Sequence, residues 1–333
     1  MKLSQLKSAH WLSPLFLTLG LMGSQLLTAQ SLAQSVYPNK PIKIVVGFAP
    51  GSSSDVAARV TGDKLGQVIG QPVIVENKPG GSSGVAAKLV AALPPDGYTL
   101  YLSTVANVIN TVAKGASETD LSKDLTAVSM IGSVPNILVV HPSLNVNTLS
   151  ELIQLLKSKP NEIAYASAGN GTALHMAAML FSMMADVKMI HVPYQGSNAA
   201  MADLLAGRTS VMFVPASTVM QHVNTGKLKA IASTGLKRSS IASEIPTLNE
   251  LGLTGFESTV WFGLMSPNGL PESIDANLNK AIAQAIQSPE VQQQFKAQGI
   301  ETSYLNSKDF AAYIKSENDK WTKVIKNSNI KLY

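Results

Sequence analysis

Cysteine is absent from all 333 residues, and that one fact removes several chemistries. Without a thiol there is no disulfide, no thiolate nucleophile, no thiolate-bound zinc and no lipid anchor on a cysteine. Arginine is nearly as scarce: Arg59, Arg208 and Arg238 are the only three, and the lysines are scattered. A nucleic-acid binder gathers such residues on one face or stripe, so nucleic acid is not expected as a partner. The formal net charge of +5 includes Lys2 and Lys7 at the very start. Beyond Leu27 there is no apolar run long enough to cross a bilayer. Catalytic spacings are missing as well. No Gly-x-Ser-x-Gly elbow occurs, and Gly80-Gly81-Ser82-Ser83-Gly84 misplaces its glycines for one. No histidines lie four apart with an acidic companion, and Gly81 to Lys88 lacks the Gly-Lys-Ser/Thr ending of a phosphate loop. No metal and no cofactor are expected.

What is present begins with a leader. Lys2 and Lys7 precede an apolar run from Trp11 to Leu27, followed by small and polar residues up to Ala33. That order is a secretory signal peptide over residues 1–33, with cleavage expected after Ala33 and Ala29 as the weaker alternative. A membrane anchor is the rival reading, but Ser13, Pro14, Thr18, Gly20 and Gly23 interrupt the run. The mature chain is therefore expected to be a freely diffusing periplasmic monomer.

Its length exceeds what one hydrophobic core usually supports, so two lobes are expected. Ile42 to Phe48 reads as a buried strand, Pro50 to Ser54 as a turn-rich loop with Ser54 as the helix cap, and Asp55 to Val68 as a helix. The unit recurs through Val73 to Glu76, Val85 to Leu93 and Tyr98 to Leu102. Such alternation is the mark of an α/β fold with a largely parallel sheet. Further on, Thr148 and Glu151 form a capping box, and Ile163 to Ala166, Lys188 to Val192, Val211 to Val214 and Leu228 to Ala232 read as a second set of strands. Two apolar extended passes, Ile131 to His141 and Phe256 to Ser266, flank this block. They predict a discontinuous first lobe, residues 34–135 plus 259–333, and an inserted second lobe, residues 136–258. Ligands of open α/β sheets sit beyond the carboxyl ends of the strands, so the lobes are expected to enclose one ligand between them.

Two loops have the chemistry for this. Phe48-Ala49-Pro50-Gly51-Ser52-Ser53-Ser54-Asp55 places N–H groups and hydroxyls at a helix start, where anions are attracted. Ser167-Ala168-Gly169-Asn170-Gly171-Thr172 has the same character before the apolar helix Ala173 to Ala185. Thr172 suits either a cap or a donor to a carboxylate, and Asp55 suits the first turn of its helix for dipole reasons.

The residues resemble the Bug-type solute-binding receptors of tripartite tricarboxylate transporters across essentially the whole mature chain. The likeness runs through Tyr37-Pro38-Asn39-Lys40-Pro41-Ile42, Phe48-Ala49-Pro50-Gly51, Val75-Glu76-Asn77-Lys78-Pro79-Gly80, Pro94-Pro95-Asp96-Gly97-Tyr98, Tyr165 to Thr172, His191-Val192-Pro193-Tyr194-Gln195-Gly196 and Trp261-Phe262-Gly263. The resemblance implies a type II periplasmic binding fold, two α/β lobes joined by two hinge strands with a carboxylate in the cleft. The implied partners are a small mono- or dicarboxylate and the membrane subunits of the transporter. The family's first loop falls on Phe48, Ala49, Gly51 and Ser53, its second on Ser167, Asn170, Gly171 and Thr172, and further hydroxyls on Ser103 and Thr104. Two departures stand out: Gly51-Ser52 replaces a glycine pair, and Val214 stands where many relatives have an aspartate.

The rival class is a secreted α/β serine esterase with Ser53 or Ser167 as nucleophile and His175 as base. The elbow is lacking and a helix-face histidine is more often a packing residue, so this class is set behind the receptor, and no enzyme activity is expected. Trp261 is open between a lid over the ligand and core packing, whereas Phe262 reads as core. Tyr194 and Gln195 are open between facing the cleft and plain surface exposure.

Overall fold

The computed structural model describes residues 37–115 and 118–328; the leader 1–33 and its cleavage point lie outside them. Contacts set Met1–Asn39 apart from Lys40–Tyr333, and the fold that follows is that of the second unit.

Strand β1 (Ile42–Val46) is an apolar run whose Ile42, Ile44, Val45 and Val46 are all buried. A strand covered on both faces loses the usual polar alternation. It pairs in parallel with β2 (Val73–Asn77) and β3 (Thr99–Thr104). The crossovers are α1 (Ser53–Ile69) and α2 (Gly84–Ala91), and α3 (Val105–Lys114) follows β3 directly. Gly70 ends α1 in the left-handed conformation, its N–H on Gly66 O, as a glycine past a helix end does.

Strand β4 (Leu125–Val140) serves both lobes. From Leu125 to Pro135 it pairs antiparallel with β9 (Thr259–Pro267), and from Asn136 to Val140 with β7 (Val211–Pro215). The sheet is therefore continuous, in the order β2-β1-β3-β9-β4-β7-β5-β6, where β5 is Ala164–Ser167 and β6 Ile190–Pro193. Strands β8 (Lys229–Ser233) and β10 (Glu301–Leu305) add to β4 off this path. Beyond the handover, β4 alternates between two cores. Leu138 and Val140 face one that includes Phe181 and Phe213, and Ile137 and Val139 face the other, with Met212 and Val214. Each side chain so buried contributes roughly 1.5–3 kcal/mol.

Helices α4 (Leu149–Ser158), α5 (Ala173–Ala185), α6 (Ser197–Leu205) and α7 (Ala216–Asn224) complete the second half. The capping box expected at Thr148 is present: its hydroxyl accepts from Glu151 N at 3.2 Å while Glu151 Oε2 accepts from Thr148 N at 3.3 Å. The chain returns through β9 to α8 (Glu272–Ile286), α9 (Pro289–Ala297) and α10 (Ser307–Ser328). On α8, Leu278, Ile282 and Ile286 recur at four-residue spacing and are buried, while Ile274 of the same series is only half-buried. Helix α10 packs on α3 and β4 and also on α5, so it ties the two halves together.

Both crossings between the halves meet at Thr234. Its hydroxyl accepts from Asn136 N at 2.9 Å and donates to Ser258 O at 2.8 Å, and Asn136 Nδ2 reaches the same carbonyl at 3.2 Å. Asn136 and Thr234 are fully buried and Ser258 nearly so, and burial without these bonds would be costly.

Candidate functional site

The carboxyl ends of β1, β3 and β5 feed α1, α3 and α5, and the first residues of all three helices line one cavity of about 320 Å³. Ser53 and Ser54 come from α1, Val105 and Ala106 from α3, and Ala173 from α5, together with the caps Thr104 and Thr172. Phe48, Ser82, Asn110, Asn170, Gly171, Val260 and Phe262 close the wall. No charged side chain is in this lining. A cavity of similar volume, about 330 Å³, lies at the seam of α5 and α10, lined by Met179, Met183, Met189 and Val324 among others. Volume does not choose between them; the position at strand ends and helix N-termini does.

The loop before α1 is fixed by charge. The cap is Ser52, not the Ser54 expected from sequence: Ser52 Oγ accepts from Asp55 N at 3.3 Å. That frees the Ser53 and Ser54 hydroxyls, which bond to no described residue. Asp55 is buried and does more than favour the helix dipole. Its carboxylate accepts from Gly51 N at 2.9 Å, Arg59 Nε at 3.0 Å and Asn77 Nδ2 at 2.8 Å. Burial alone would push this carboxyl up, but the bonds from Arg59, Gly51 and Asn77 outweigh it and hold it below the usual range. Asn77 also donates to Phe48 O at 3.0 Å, so both ends of the loop hang on one network.

The loop before α5 is fixed without charge. Ser167 Oγ lies 2.7 Å from His191 Nε2, and Gly171 N donates to His175 Nδ1 at 3.1 Å. The two imidazoles stack at 4.0 Å between centroids, and His191 stacks in turn on Tyr165 at 4.8 Å. Burial and the neighbouring His191 push His175 down to about 3, and burial lowers His191 as well. Both rings are therefore neutral at pH 7. Gly171 at φ 70 occupies the left-handed region that suits glycine. The Thr172 hydroxyl is fully engaged, accepting from His175 N at 3.4 Å and donating to Gly169 O at 2.8 Å. It acts as a cap and has no proton left for a ligand. Thr104, by contrast, accepts from Ala106 N at 3.2 Å, and its hydroxyl donates to no described residue.

Of the residues singled out from sequence, the cavity brings together Phe48, Ser53, Thr104, Asn170, Gly171 and Thr172. The rest stand elsewhere. Ala49 and Gly51 are exposed on the first loop. Ser103 is buried and donates to Gly263 O at 2.9 Å, so it fastens β3 to β9. Ser167 is buried beneath its loop. Tyr194 gives its hydroxyl to Asp203 Oδ2 at 2.6 Å, and Gln195 is exposed. Strand alternation sends Val260 and Phe262 to the cavity and Trp261 to the opposite side. There Trp261 packs edge-on against Phe310 and donates to buried Glu317 at 3.1 Å. Val214 is fully buried in the second core and not at the cavity. Sequence reading passed over Ser82, Asn110, Val105, Ala106 and Val260. The register of β3 running straight into α3 was the available signal.

The esterase arrangement does not assemble. His175, the expected base, is fully buried, its Nδ1 accepting from Gly171 N and its Nε2 bonding to no described residue, so it pairs with neither Ser53 nor Ser167; Ser167 is itself buried and lies against His191 instead. A nucleophile must reach its substrate and a base needs an orienting partner.

The model of the tripartite tricarboxylate transporter family receptors matches residues 57–330. Protein BugT of Bordetella pertussis is 34% identical over 309 residues, covering 91% of this chain and 94% of its own. Among solved structures, the periplasmic binding protein BugD is 28% identical with a TM-score of 0.69, covering 88% of this chain and 99% of that one. Rpa4515 of R. palustris, solved with adipate, is 30% identical with a TM-score of 0.71, covering 87% and 97%.

Proposed function

The chain belongs to the tripartite tricarboxylate transporter receptor family, and from that membership we propose that it captures a small organic carboxylate in the cavity between its lobes and delivers it to the membrane subunits of such a transporter. It is a solute-binding receptor and not an enzyme. With cleavage after Ala33, it works in the periplasm as a monomer; no described helix is long and apolar enough to cross a membrane. We divide the lobes at 135/136 and 258/259, beside the point where β4 changes partner.

The observation that carries this reading is the meeting of three helix N-termini on a cavity lined by no charged side chain. Helix N-termini concentrate unpaired N–H groups and the positive end of the dipole. Ser53, Ser54 and Thr104 add free hydroxyl protons, while Phe48, Val260 and Phe262 offer apolar surface to a carbon chain. Hydrogen bonds to a charged group contribute roughly 1.5–3 kcal/mol each, against the about 8 kcal/mol of micromolar binding. Three or four of them together with burial of the carbon chain reach that figure without an arginine clamp, entropy losses making the sum an upper bound. The bound adipate of Rpa4515 supports the ligand class.

A thermal-shift screen of mono- and dicarboxylates on mature protein tests the reading, followed by calorimetry and NMR of the recovered ligand. One-to-one binding of a chemically unchanged carboxylate is expected. Turnover, or no stabilisation by any carboxylate of the panel, overturns it.

A further inference from the structure

The Gly80–Gly84 segment, which fits no catalytic motif, holds two consecutive residues in the left-handed region: Ser82 at φ 50 and Ser83 at φ 76. For residues other than glycine that conformation costs roughly 1–2 kcal/mol each, and it persists only where the surroundings over-determine it. They do so here. Asn110 Nδ2, nearly fully buried on α3, donates to Gly81 O at 3.2 Å and to Ser82 O at 3.1 Å. Ser83 shares a 2.5 Å hydrogen bond with the Tyr101 hydroxyl, which also reaches Ser83 O at 3.2 Å. Any side chain at Gly47 would overlap Ser83, so the turn lies flush on the end of β1. This turn presents one side chain to the cavity: Ser82 is exposed and lines it, and its hydroxyl bonds to no described residue.

Ser82 stands two residues before α2, apart from the three N-termini of α1, α3 and α5 that meet at the cavity. Its partner Asn110 stands five residues beyond Val105 on α3, or roughly 7.5 Å along the helix at 1.5 Å per residue. Both Val105 and Asn110 line the cavity, which therefore has one end at the N-termini of α1, α3 and α5 and another at Ser82. Apolar wall from Phe48 and Phe262 belongs to the same cavity.

We propose that Ser82 is a specificity-determining residue: held in a strained turn, it donates its hydroxyl proton to an oxygen at the distal end of the bound carboxylate, and so selects an oxygen-terminated chain over a methyl-terminated one. This rests on the reading that the helix N-termini hold the first carboxylate. A terminal carboxyl, hydroxyl or keto oxygen meets the requirement; a methyl group leaves the hydroxyl unpaired on ligand closure, which is where discrimination arises.

The test compares matched pairs by calorimetry, adipate with hexanoate and succinate with butanoate, on the parent, Ser82→Ala and Ser82→Gly. The parent is expected to prefer the diacid of the pair whose length it accepts. Both variants are expected to lose that preference, through a fall of about ten-fold or more in diacid affinity with the monoacid unchanged. Ser82→Gly relieves the strain, so it folds even if Ser82→Ala does not. Equal losses on diacid and monoacid, or an undiminished preference in both variants, overturn the role of Ser82 while leaving the carboxylate reading in place. Binding of neither pair by the parent counts against both.

Discussion

The loop before α1 and the loop before α5 present the same thing to the cavity, a helix N-terminus with its N–H groups, and they are built from opposite materials. The first is fastened by buried Asp55, which gathers Gly51, Arg59 and Asn77. The second is fastened by His175 and His191, stacked and neutral, each taking one end of the loop. A carboxylate held below its usual range is indifferent to pH over most of the working range. Neutral buried imidazoles are not, because the unfolded chain can protonate them and the folded one cannot. The contrast teaches that one anion site can be sensitive to acid through one wall and not through the other.

The largest expected effect comes from reversing the field at the second wall. Gly171→Asp adds a negative charge where the N–H groups and dipole of α5 face the ligand, and a side chain at φ 70. Calorimetry on variant shown to be folded is expected to find affinity reduced more than a hundred-fold. Parent-like affinity would place the anion on the first loop alone.

Next in size is the first wall. Asp55→Ala removes the acceptor on which Gly51, Arg59 and Asn77 converge, and is expected to cost about 2 kcal/mol in urea unfolding. The pH dependence has a definite sign. Asp55 is lowered from 3.8, so its stabilisation is complete above that value and is lost only as the pH falls through the lower folded value. Stability of Asp55→Ala relative to the parent should therefore be flat from pH 7 to pH 5. A gap that narrows across that interval would show that Asp55 does not hold the loop as a carboxylate.

The second wall behaves otherwise over the same interval. His175 is lowered from 6.5 to about 3, so its contribution is full above 6.5 and falls as the pH drops toward 3. The slope approaches 1.4 kcal/mol per pH unit, which amounts to about 2 kcal/mol between pH 7 and pH 5. His175→Gln, which does not titrate, should flatten the profile by that amount. An unchanged profile would mean that His175 is not kept neutral by its stack.

Much of this framework was legible in the sequence, and the illegible parts share one cause. The capping box at Thr148 and the two glycine-rich loops are local, so residue type and spacing suffice to find them. The cap at Ser52 instead of Ser54 was hidden because three consecutive serines offer the same chemistry, and only the phase of the helix chooses among them. Trp261 and Phe262 are adjacent and both wholly buried; which one meets the cavity depends on the register of β9 against β3 and β4. Asp55 looked like a first-turn acid because its partner Asn77 lies 22 residues away. In sequence Ser82 reads only as part of a failed elbow, since the turn is held by Asn110 on Ser82 O and by Tyr101 on Ser83, contacts that no spacing reveals.

The smallest expected effect belongs to Thr172, and it separates a cap from a ligand donor. In sequence terms this threonine suits either role, but its hydroxyl already accepts from His175 N and donates to Gly169 O, so both of its hydrogen-bonding functions are spent on the loop. Thr104 sits at the same place on α3, and its proton goes to no described residue. Thr172→Ala should therefore cost about 1 kcal/mol of stability, the usual loss for a missing cap, with affinity reduced less than ten-fold. Thr172→Ser, which restores the hydroxyl, should recover both. If Thr172→Ala loses affinity by a hundred-fold while its unfolding curve stays with the parent, the hydroxyl has left Gly169 in the bound state to grip the ligand, and the second wall rearranges on closure instead of standing preformed.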